Sequence, residues 1–188
     1  MSAEAARPRR RDAARTRRAI LAAAQTAFAA KGYAQAGVRE IAAAAGVDPA
    51  LVRRYFGSKE GLFKAALSDA LDIGDLVDTS RERFGVHLAA YLLDDGGERP
   101  NPLPMMIMAM ADPHIREIAL DLLHHRVMSP LATWIGAREA EPRAARVSMI
   151  CSGFVAYTRL MPLKVFADGV DPATRAWLEQ SLQAAVDD

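Results

Sequence analysis

Arginines are the residues of this chain whose type and spacing suggest a chemistry, and that chemistry is the recognition of anions. Arg15, Arg17 and Arg18 fall within four positions, and a second pair, Arg53 and Arg54, follows later. A guanidinium can bind phosphate, or the O6 and N7 atoms of guanine, through two parallel hydrogen bonds. These arginines are therefore candidate contacts to nucleic acid.

Basic residues are concentrated at the start of the chain. Residues 1–64 hold 13 Lys and Arg against 5 Asp and Glu, a balance of +8, whereas residues 65–188 hold 11 against 18, a balance of −7. Because attraction to phosphate is screened beyond about 8 Å in physiological salt, a nucleic-acid contact is expected in the basic part. A solvated basic segment that binds nothing is the alternative, and charge alone does not decide between the two.

The residue sets that enzymes need are not recognisable in the sequence. The single cysteine, Cys151, lies in an apolar segment beside Met149 and Ile150, and there is no nucleophile with a base and no glycine-rich loop after a strand. His124 and His125 are adjacent, which is not a metal-ligand spacing, and the motif HExxH is absent. The sequence favours a protein that is not an enzyme and has no metal or other cofactor.

The compartment is predicted from the cysteine content and the apolar runs. One cysteine cannot form a disulfide within the chain. The longest apolar runs, such as 19–24 and 103–111, are shorter than the eighteen or so residues that a membrane span requires. Residues 9–11, all arginine, precede an alanine-rich stretch as in an export signal, but Gln25 and Lys31 interrupt that stretch. A cytoplasmic protein without a membrane partner is expected.

Two short helices joined by a tight turn are predicted near the N-terminus. The first spans about Val38 to Ala45, and Gly46 can end it because glycine adopts left-handed backbone readily. Asp48 can cap the second helix by accepting from its exposed amides, and Pro49 suits its first turn. This arrangement is typical of a helix-turn-helix, whose second helix enters the major groove of DNA.

Apolar residues elsewhere recur at steps of three and four, which predicts an all-α fold of about nine helices. Further helices are predicted over residues 12–30, 58–71, 81–93, 103–111, 113–137, 143–161 and 172–186. Gly32 is expected to end the first of these, and Pro130 to kink the helix over 113–137. Residues 1–11 contain Pro8 and four arginines without an apolar anchor, so a flexible basic arm is expected there.

A dense set of residues between positions 32 and 63 matches a known signature. It consists of Gly32-Tyr33, Val38-Arg39-Glu40-Ile41-Ala42, Gly46-Val47-Asp48 and Tyr55-Phe56-Gly57-Ser58-Lys59-Glu60-Gly61-Leu62-Phe63. These residues resemble the N-terminal signature of TetR-family regulators. The resemblance implies a DNA-binding helix-turn-helix domain over residues 12–58, a ligand-binding and dimerising helical body over 59–188, and release of DNA when a small molecule binds.

Three features of this region differ from the commonest form of the signature or bear on its contact with DNA. Gly37 stands where Ser or Thr often caps the second helix and contacts phosphate, so that side-chain contact is lost. Arg53 replaces a common Tyr, and Arg54 a variable, often His, position; both keep or raise the affinity for phosphate because Arg offers a charged fork. Asp48 brings an acid close to DNA, and its capping role can outweigh the repulsion.

The candidate DNA contacts lie on the first four predicted helices, and several of them have a simpler alternative. Arg53 and Arg54 could be a solvated face, and Ala50 could be a spacer instead of a contact to a thymine methyl. Ser58 could be an ordinary helix cap, whereas the resemblance assigns Lys59 to a phosphate. The full set is Arg15, Arg17, Arg18, Arg39, Asp48, Pro49, Ala50, Arg53, Arg54, Tyr55, Ser58 and Lys59. Of these, Arg39 could be plain surface and Tyr55 core.

Methionines and aromatic residues of the body suit a pocket for apolar or amphipathic ligands. The candidates are Met106, Met110, Met128 and Trp134. At helical spacing such residues are more often plain core, so both interpretations stay open. Arg159 could meet an anionic ligand or form an ion pair at an interface, and the interface is favoured.

A two-fold homodimer is expected from the apolar stripes of the last two helices. The candidate interface residues are Ile150, Phe154, Tyr157, Trp177, Leu178 and Leu182. Two recognition helices about 34 to 36 Å apart would read an inverted repeat in double-stranded DNA. The competing functions are a nonspecific DNA-binding protein, which the acidic body disfavours, and a helical enzyme.

Overall fold

The computed structural model describes residues 6–94, 101–136 and 138–187. All regular structure in these ranges is helical, as predicted. The α-helices are α1 (Ala6–Gln35), α2 (Val38–Ala44), α3 (Pro49–Phe56), α4 (Lys59–Ala70), α5 (Gly74–Val77), α6 (Phe84–Leu93), α7 (Leu103–Ala109), α8 (Pro113–Leu123), α9 (Ser129–Ile135), α10 (Ala140–Val155) and α11 (Pro172–Val186). If α8 and α9 are taken as one continuous helix and the single-turn α5 is left aside, the described ranges hold the nine helices expected.

The first helix begins earlier than predicted. Residues 6–11, expected to be part of a flexible arm, are the first turns of α1. Pro8 lies in the first turn, where the backbone amides lack a partner within the helix and proline is tolerated. Arginine and alanine, which dominate this stretch, are good helix formers. The remainder of the predicted arm, residues 1–5, lies outside the described residues.

The described residues pack into two compact units. The first unit contains α1 to α4 together with α7 and most of α8, and the second contains α5, α6 and α9 to α11. The sequence predicts a DNA-binding domain over 12–58 and a ligand-binding and dimerising body over 59–188. That division is one of function and not of packing, and it stays a prediction.

The first unit is built around α1. The side chains of Ile20, Ala24 and Phe28 are fully buried and recur at steps of four, so α1 presents one continuous apolar face. Both α4 and α7 pack against α1. Gln25 is buried as well, and its side-chain amide donates to the Ala66 carbonyl and to the Asp69 carboxylate, each at 3.0 Å. A buried amide is tolerated here because its donors are satisfied.

Gly32 interrupts α1, in agreement with the predicted stop. Its backbone has φ 72° and ψ 171°, a conformation that L side chains rarely adopt. Met108 of α7 lies against it, since a Cβ added at Gly32 would be 3.1 Å from Met108 Cε. The end of α1 is therefore held against α7 at a glycine.

The second unit depends on a close approach of α6 to α11. A Cβ added at Gly85 would lie 2.3 Å from the Glu179 carbonyl oxygen and 2.9 Å from the Gln183 nitrogen. The Gly85 amide donates to the Gln183 side-chain oxygen at 2.9 Å, and the Gln183 side-chain nitrogen donates to the Arg81 carbonyl, also at 2.9 Å. Glycine at position 85 lets the two backbones meet.

A π-helical segment lies where the sequence predicts a kink before Pro130, and the kink itself stays a prediction. The segment spans His124–Met128, between α8 and α9, and Pro130 lies in the first turn of α9. A wider hydrogen-bond pattern accommodates the missing proline donor. A second π-helical segment, Ala156–Leu160, continues α10, so that helix starts and ends close to the predicted 143 and 161.

Candidate nucleic-acid interface

Helices α2 and α3 form the predicted helix-turn-helix. The turn between them contains Gly46, with φ 67°, and Asp48. One carboxylate oxygen of Asp48 accepts from the Ala50 amide at 2.7 Å, and Pro49 opens α3. The predicted cap is thus confirmed, and it explains how an acidic residue is retained at this end of α3.

One side of α3 is exposed and the other is buried. Val52 is 2% exposed, and Leu51, Tyr55 and Phe56 are half-buried. The exposed residues are Pro49, Ala50, Arg53 and Arg54. Because they are separated by three and four positions, they share the outward face of α3, as a recognition helix requires.

Arg17 of α1 lies beside the end of α3. Its guanidinium carbon is 5.4 Å from the centroid of the Phe56 ring. Arg54 is placed similarly over Tyr55, at 5.5 Å. A guanidinium over an aromatic face is attracted by the ring and keeps donors for other groups. The structure therefore brings Arg17 and α3 together.

The other basic candidates are exposed but less closely held. Arg15 lies 3.4 Å from the Asp12 carboxylate, an exposed pair that contributes little to stability. Arg18 is exposed two positions before the fully buried Ile20 of α1, and Arg39 is exposed in the first turn of α2. Their contact with DNA stays a prediction.

Ser58 and Lys59 mark the start of α4. The Ser58 hydroxyl accepts from the Gly61 amide at 3.0 Å, so the capping alternative is confirmed for Ser58. A Cβ at Gly61 would lie 2.2 Å from the Phe56 carbonyl oxygen, which shows how closely α3 ends against α4. Gly61 thus helps to place the helix-turn-helix.

Lys59 has two partners that the sequence did not indicate. Its Nζ donates to the Ala34 carbonyl at 3.1 Å and lies 4.8 Å from the centroid of the Tyr33 ring. Burial lowers the pKa of Lys59 because it disfavours the charged form. Burial also raises the pKa of Tyr33, and the negative charges of Glu60 and Asp112 raise it further. The only sequence signal that points to Tyr33 is its place beside Gly32 in the family signature, and that signal does not indicate a contact with Lys59.

Ion pairs fasten other helices of the first unit. Lys31 of α1 pairs with Glu40 of α2. Glu60 accepts from Lys64 at 2.7 Å and lies 3.0 Å from His114 of α8. The hydrogen bond from Lys64, followed by that from His114, lowers the pKa of Glu60.

The predicted ligand-binding residues are distributed over both units. Met106 is buried on α7 and Met110 is 40% exposed at its end. In the second unit the Ser148 hydroxyl lies 3.2 Å from the Met128 sulfur, and the Trp134 ring centroid is 4.9 Å from that of Phe84. A ligand site at these four residues stays a prediction.

The predicted dimer residues fall into two groups, and one group requires a correction. Leu178 and Leu182 are fully buried, so these two side chains belong to the core of the second unit, whereas Phe154 is 8% exposed and its place in an interface stays a prediction. A side chain without exposed surface cannot form a contact with another chain. Tyr157 and Trp177 are 50% and 56% exposed. Ile150, the sixth candidate, is half-buried.

Three arginines bind the carbonyl ends of helices in the second unit. Arg159 donates to the carbonyls of Leu92 and Asp94 at 2.8 and 3.1 Å, a role that neither predicted alternative included. Arg81 and Arg143 both donate to the Val186 carbonyl, at 2.6 and 3.3 Å. Cations are favoured at the negative end of a helix, but the sequence does not show which helix end an arginine will reach.

The described residues meet the requirements of neither a metal cluster nor a membrane-spanning helix. Among them, no three His, Cys, Asp or Glu side chains lie close enough to hold a metal ion. In the same part of the chain, no helix is long and apolar enough to cross a bilayer. Burial raises the pKa of the Cys151 thiol to about 12, so it stays protonated and is a poor nucleophile.

Comparisons with known proteins match both parts of the chain. Residues 20–66 match the model of the bacterial regulatory proteins, tetR family. Residues 82–186 match the model of a tetracyclin repressor-like C-terminal domain. The HTH-type transcriptional repressor Rv3405c of Mycobacterium tuberculosis is 31% identical over 179 residues, which cover 89% of this chain and 85% of that protein.

Solved structures show the same fold. A TetR-family regulator of Streptomyces coelicolor has a TM-score of 0.55 at 24% identity, covering 93% of this chain and 96% of the other. The multidrug binding protein EbrR, solved with ethidium, has a TM-score of 0.62 at 21% identity, covering 92% and 99%.

A helix-turn-helix with an exposed recognition face, followed by a helical C-terminal region, is typical of a DNA-binding regulator. The two matches together extend over most of the chain. The protein belongs to the TetR family of bacterial transcriptional regulators, and it is a regulator and not an enzyme.

Proposed function

We propose that this protein is a cytoplasmic repressor that binds an inverted-repeat operator as a homodimer and leaves it when an apolar or amphipathic small molecule binds. The observation that carries the proposal is the exposed face of α3, which presents Ala50, Arg53 and Arg54 beside Arg17. The balance of +8 over residues 1–64 supports DNA as the partner of this face.

An exposed apolar row supports the dimer. Met149 and Gly153 of α10, Tyr157 of the π-helical segment and Met161, which directly follows that segment, recur at every fourth position, and the three larger side chains are at least half exposed. A Cβ at Gly153 would meet no described heavy atom within 4 Å, so the row is open at its glycine. A second copy of the helix can approach closely there, and aromatic and Met side chains are common in interface cores.

The small molecule is inferred from a fold relative and from residue chemistry. EbrR is a multidrug binding protein that was solved with ethidium. This chain carries the methionines and aromatic residues that suit such ligands, among them Met106, Met110, Met128 and Trp134. A ligand releases DNA only if its affinity differs between the DNA-bound and the free conformation.

Selection of genomic fragments, followed by footprinting at two salt concentrations, tests the DNA part. We expect protection of an inverted repeat with half-sites about 10 base pairs apart, or a multiple of that, and weaker binding at higher salt. Protection independent of sequence would instead support a nonspecific DNA-binding protein.

Thermal unfolding of the free protein tests the ligand part. Ethidium is a suitable first probe. The measurement is made without DNA, because ethidium intercalates into duplexes. Stabilisation in wild type that is lost in Trp134→Ala would support the proposed site, since a ligand stabilises the folded state that binds it. A panel of apolar and amphipathic cations that leaves the unfolding temperature unchanged would count against the site.

A further inference from the structure

Two consecutive residues at the end of α1 hold the side chain of Lys59. The Tyr33 ring centroid lies 4.8 Å from Nζ, and the Ala34 carbonyl accepts from Nζ at 3.1 Å. Lysine has a long flexible side chain that loses much freedom when its end is fixed. The two contacts therefore restrict the ammonium before any ligand arrives.

The ring of Tyr33 is itself fixed by buried neighbours. It stacks on Phe28 at 6.1 Å between centroids and meets the edge of Phe63 at 5.6 Å. Phe28 and Phe63 are in edge contact at 5.2 Å, and neither is more than 1% exposed. A ring anchored in this way offers a stable surface to the cation.

The backbone before Tyr33 is also held in place. Gly32 adopts φ 72° and lies against Met108 of α7. Tyr33 therefore cannot move far without disturbing the contact between α1 and α7. The support of Lys59 is part of the packed first unit and not of a loose loop.

The ammonium of Lys59 keeps donors for another partner. An ammonium has three N–H donors, and the Ala34 carbonyl uses one of them. Lys59 is also the first residue of α4, where the positive end of the helix favours an anion. A phosphate group meets both requirements, because it accepts from the ammonium and is attracted by the helix end.

We propose that Tyr33 is a positioning residue for DNA binding, which holds the ammonium of Lys59 where it meets one phosphate of the operator. The inference rests on the proposed DNA-binding function and adds a residue outside the helix-turn-helix to it. Tyr33 does not contact DNA; it acts through Lys59. Only the face of its ring is needed, so the hydroxyl group is dispensable.

A double-mutant cycle on a duplex containing the footprinted operator tests this, with fluorescence anisotropy as the measurement. Lys59→Met should weaken binding about ten-fold and reduce the salt slope by about one unit, because one phosphate contact is lost. Tyr33→Leu should weaken binding about three- to five-fold. Tyr33→Phe, the matched control, should bind like wild type. In the Lys59→Met background, Tyr33→Leu should have no further effect.

A series of progressively fluorinated phenylalanines at position 33 keeps the ring shape and covers the case in which Tyr33→Leu folds poorly. Affinity should fall with each added fluorine, because fluorine withdraws electron density from the ring face that attracts the cation. Equal affinity across the series would overturn the proposal. So would a Tyr33→Leu effect of the same size with and without Lys59, or an unchanged salt slope in Lys59→Met. If wild type itself showed no operator binding, the proposed function would fail instead.

Discussion

The guanidinium of Arg17 lies over the ring of Phe56, 5.4 Å from its centroid, so that α1 places a cation at the end of α3. Arg15, two positions earlier, is 80% exposed and pairs with Asp12 of its own helix. Two arginines that look equivalent in the sequence therefore have different surroundings. Only Arg17 is held next to the proposed recognition helix.

Arg17→Ala should lower operator affinity more than Arg15→Ala does. An ordered guanidinium loses less freedom when it binds a phosphate than one that moves in solvent. We expect a loss of about 1.5 to 3 kcal/mol for Arg17→Ala and less than about 1 kcal/mol for Arg15→Ala. Anisotropy titrations of both variants at the same salt measure the difference. Equal losses would mean that the contact with Phe56 does not matter for DNA binding.

Arg53→Ala distinguishes base recognition from phosphate binding on α3. If Arg53 reads a guanine, its loss should cost about 1 to 3 kcal/mol on the operator and relax the preference at one base pair. Titrations against operators substituted at each position measure this. A uniform loss on every duplex would assign Arg53 to a phosphate.

The helix-turn-helix could be predicted from the sequence because local signals define it. Gly46, Asp48 and Pro49 each restrict the backbone in a specific way, and the observed α3 begins where these residues require. The exposed face of α3 then follows from helical periodicity alone. Side-chain contacts within this region could not be predicted in the same way. Lys59 and Tyr33, for example, are in contact although they lie 26 positions apart in the sequence.

Packing partners could not be predicted for apolar faces that suit several neighbours. The stripe on α11 contains Leu178 and Leu182, which were assigned to a dimer interface but are fully buried within the second unit. An apolar residue looks the same in sequence whether it packs inside the chain or against another chain.

Gly85→Ala should destabilise the second unit. The added Cβ would lie 2.3 Å from a backbone oxygen of α11, which cannot give way as a flexible side chain would. We expect a loss of about 1 to 3 kcal/mol in the free energy of unfolding, the usual range for overpacking. Val86→Ala is the matched control, because Val86 is 51% exposed on the same helix. Chemical denaturation should show a loss in the first variant alone; comparable stability would contradict the close approach of α6 and α11.

Asp171→Asn should flatten the acid dependence of stability. The Asp171 carboxylate accepts from the Thr174 hydroxyl and from the amides of Thr174 and Ala173, and these hydrogen bonds lower its pKa. A carboxyl whose pKa is lower in the folded state stabilises the fold above its unfolded pKa, and this contribution is lost as the pH falls through the folded pKa. Wild type should therefore lose stability below about pH 4 more steeply than the Asn variant, which can still cap α11. Chemical denaturation between about pH 2 and 6 measures the free energy of unfolding of wild type and of Asp171→Asn. Parallel dependences on pH in the two proteins would contradict the lowered pKa of Asp171.

Gly153→Leu should separate the proposed dimer without harming the fold of the chain. The glycine lies in the exposed row between Met149 and Tyr157, and a Cβ there would meet no described atom within 4 Å. A leucine would therefore fit on the monomer but would keep two copies of α10 apart, and helix propensity favours leucine over glycine by about 0.5 to 1 kcal/mol.

Sedimentation should show wild type as a dimer and Gly153→Leu as a monomer at micromolar concentration, with a retained helical signal. Trp177→Asp, at an exposed position of α11, should act in the same direction, whereas a charge at the buried Leu178 should unfold the protein. Operator binding should weaken strongly in both monomeric variants, because two linked recognition helices bind an inverted repeat far more tightly than one. A wild type that sediments as a monomer at this concentration would refute the dimer, and a dimeric Gly153→Leu would place the interface elsewhere than on this row.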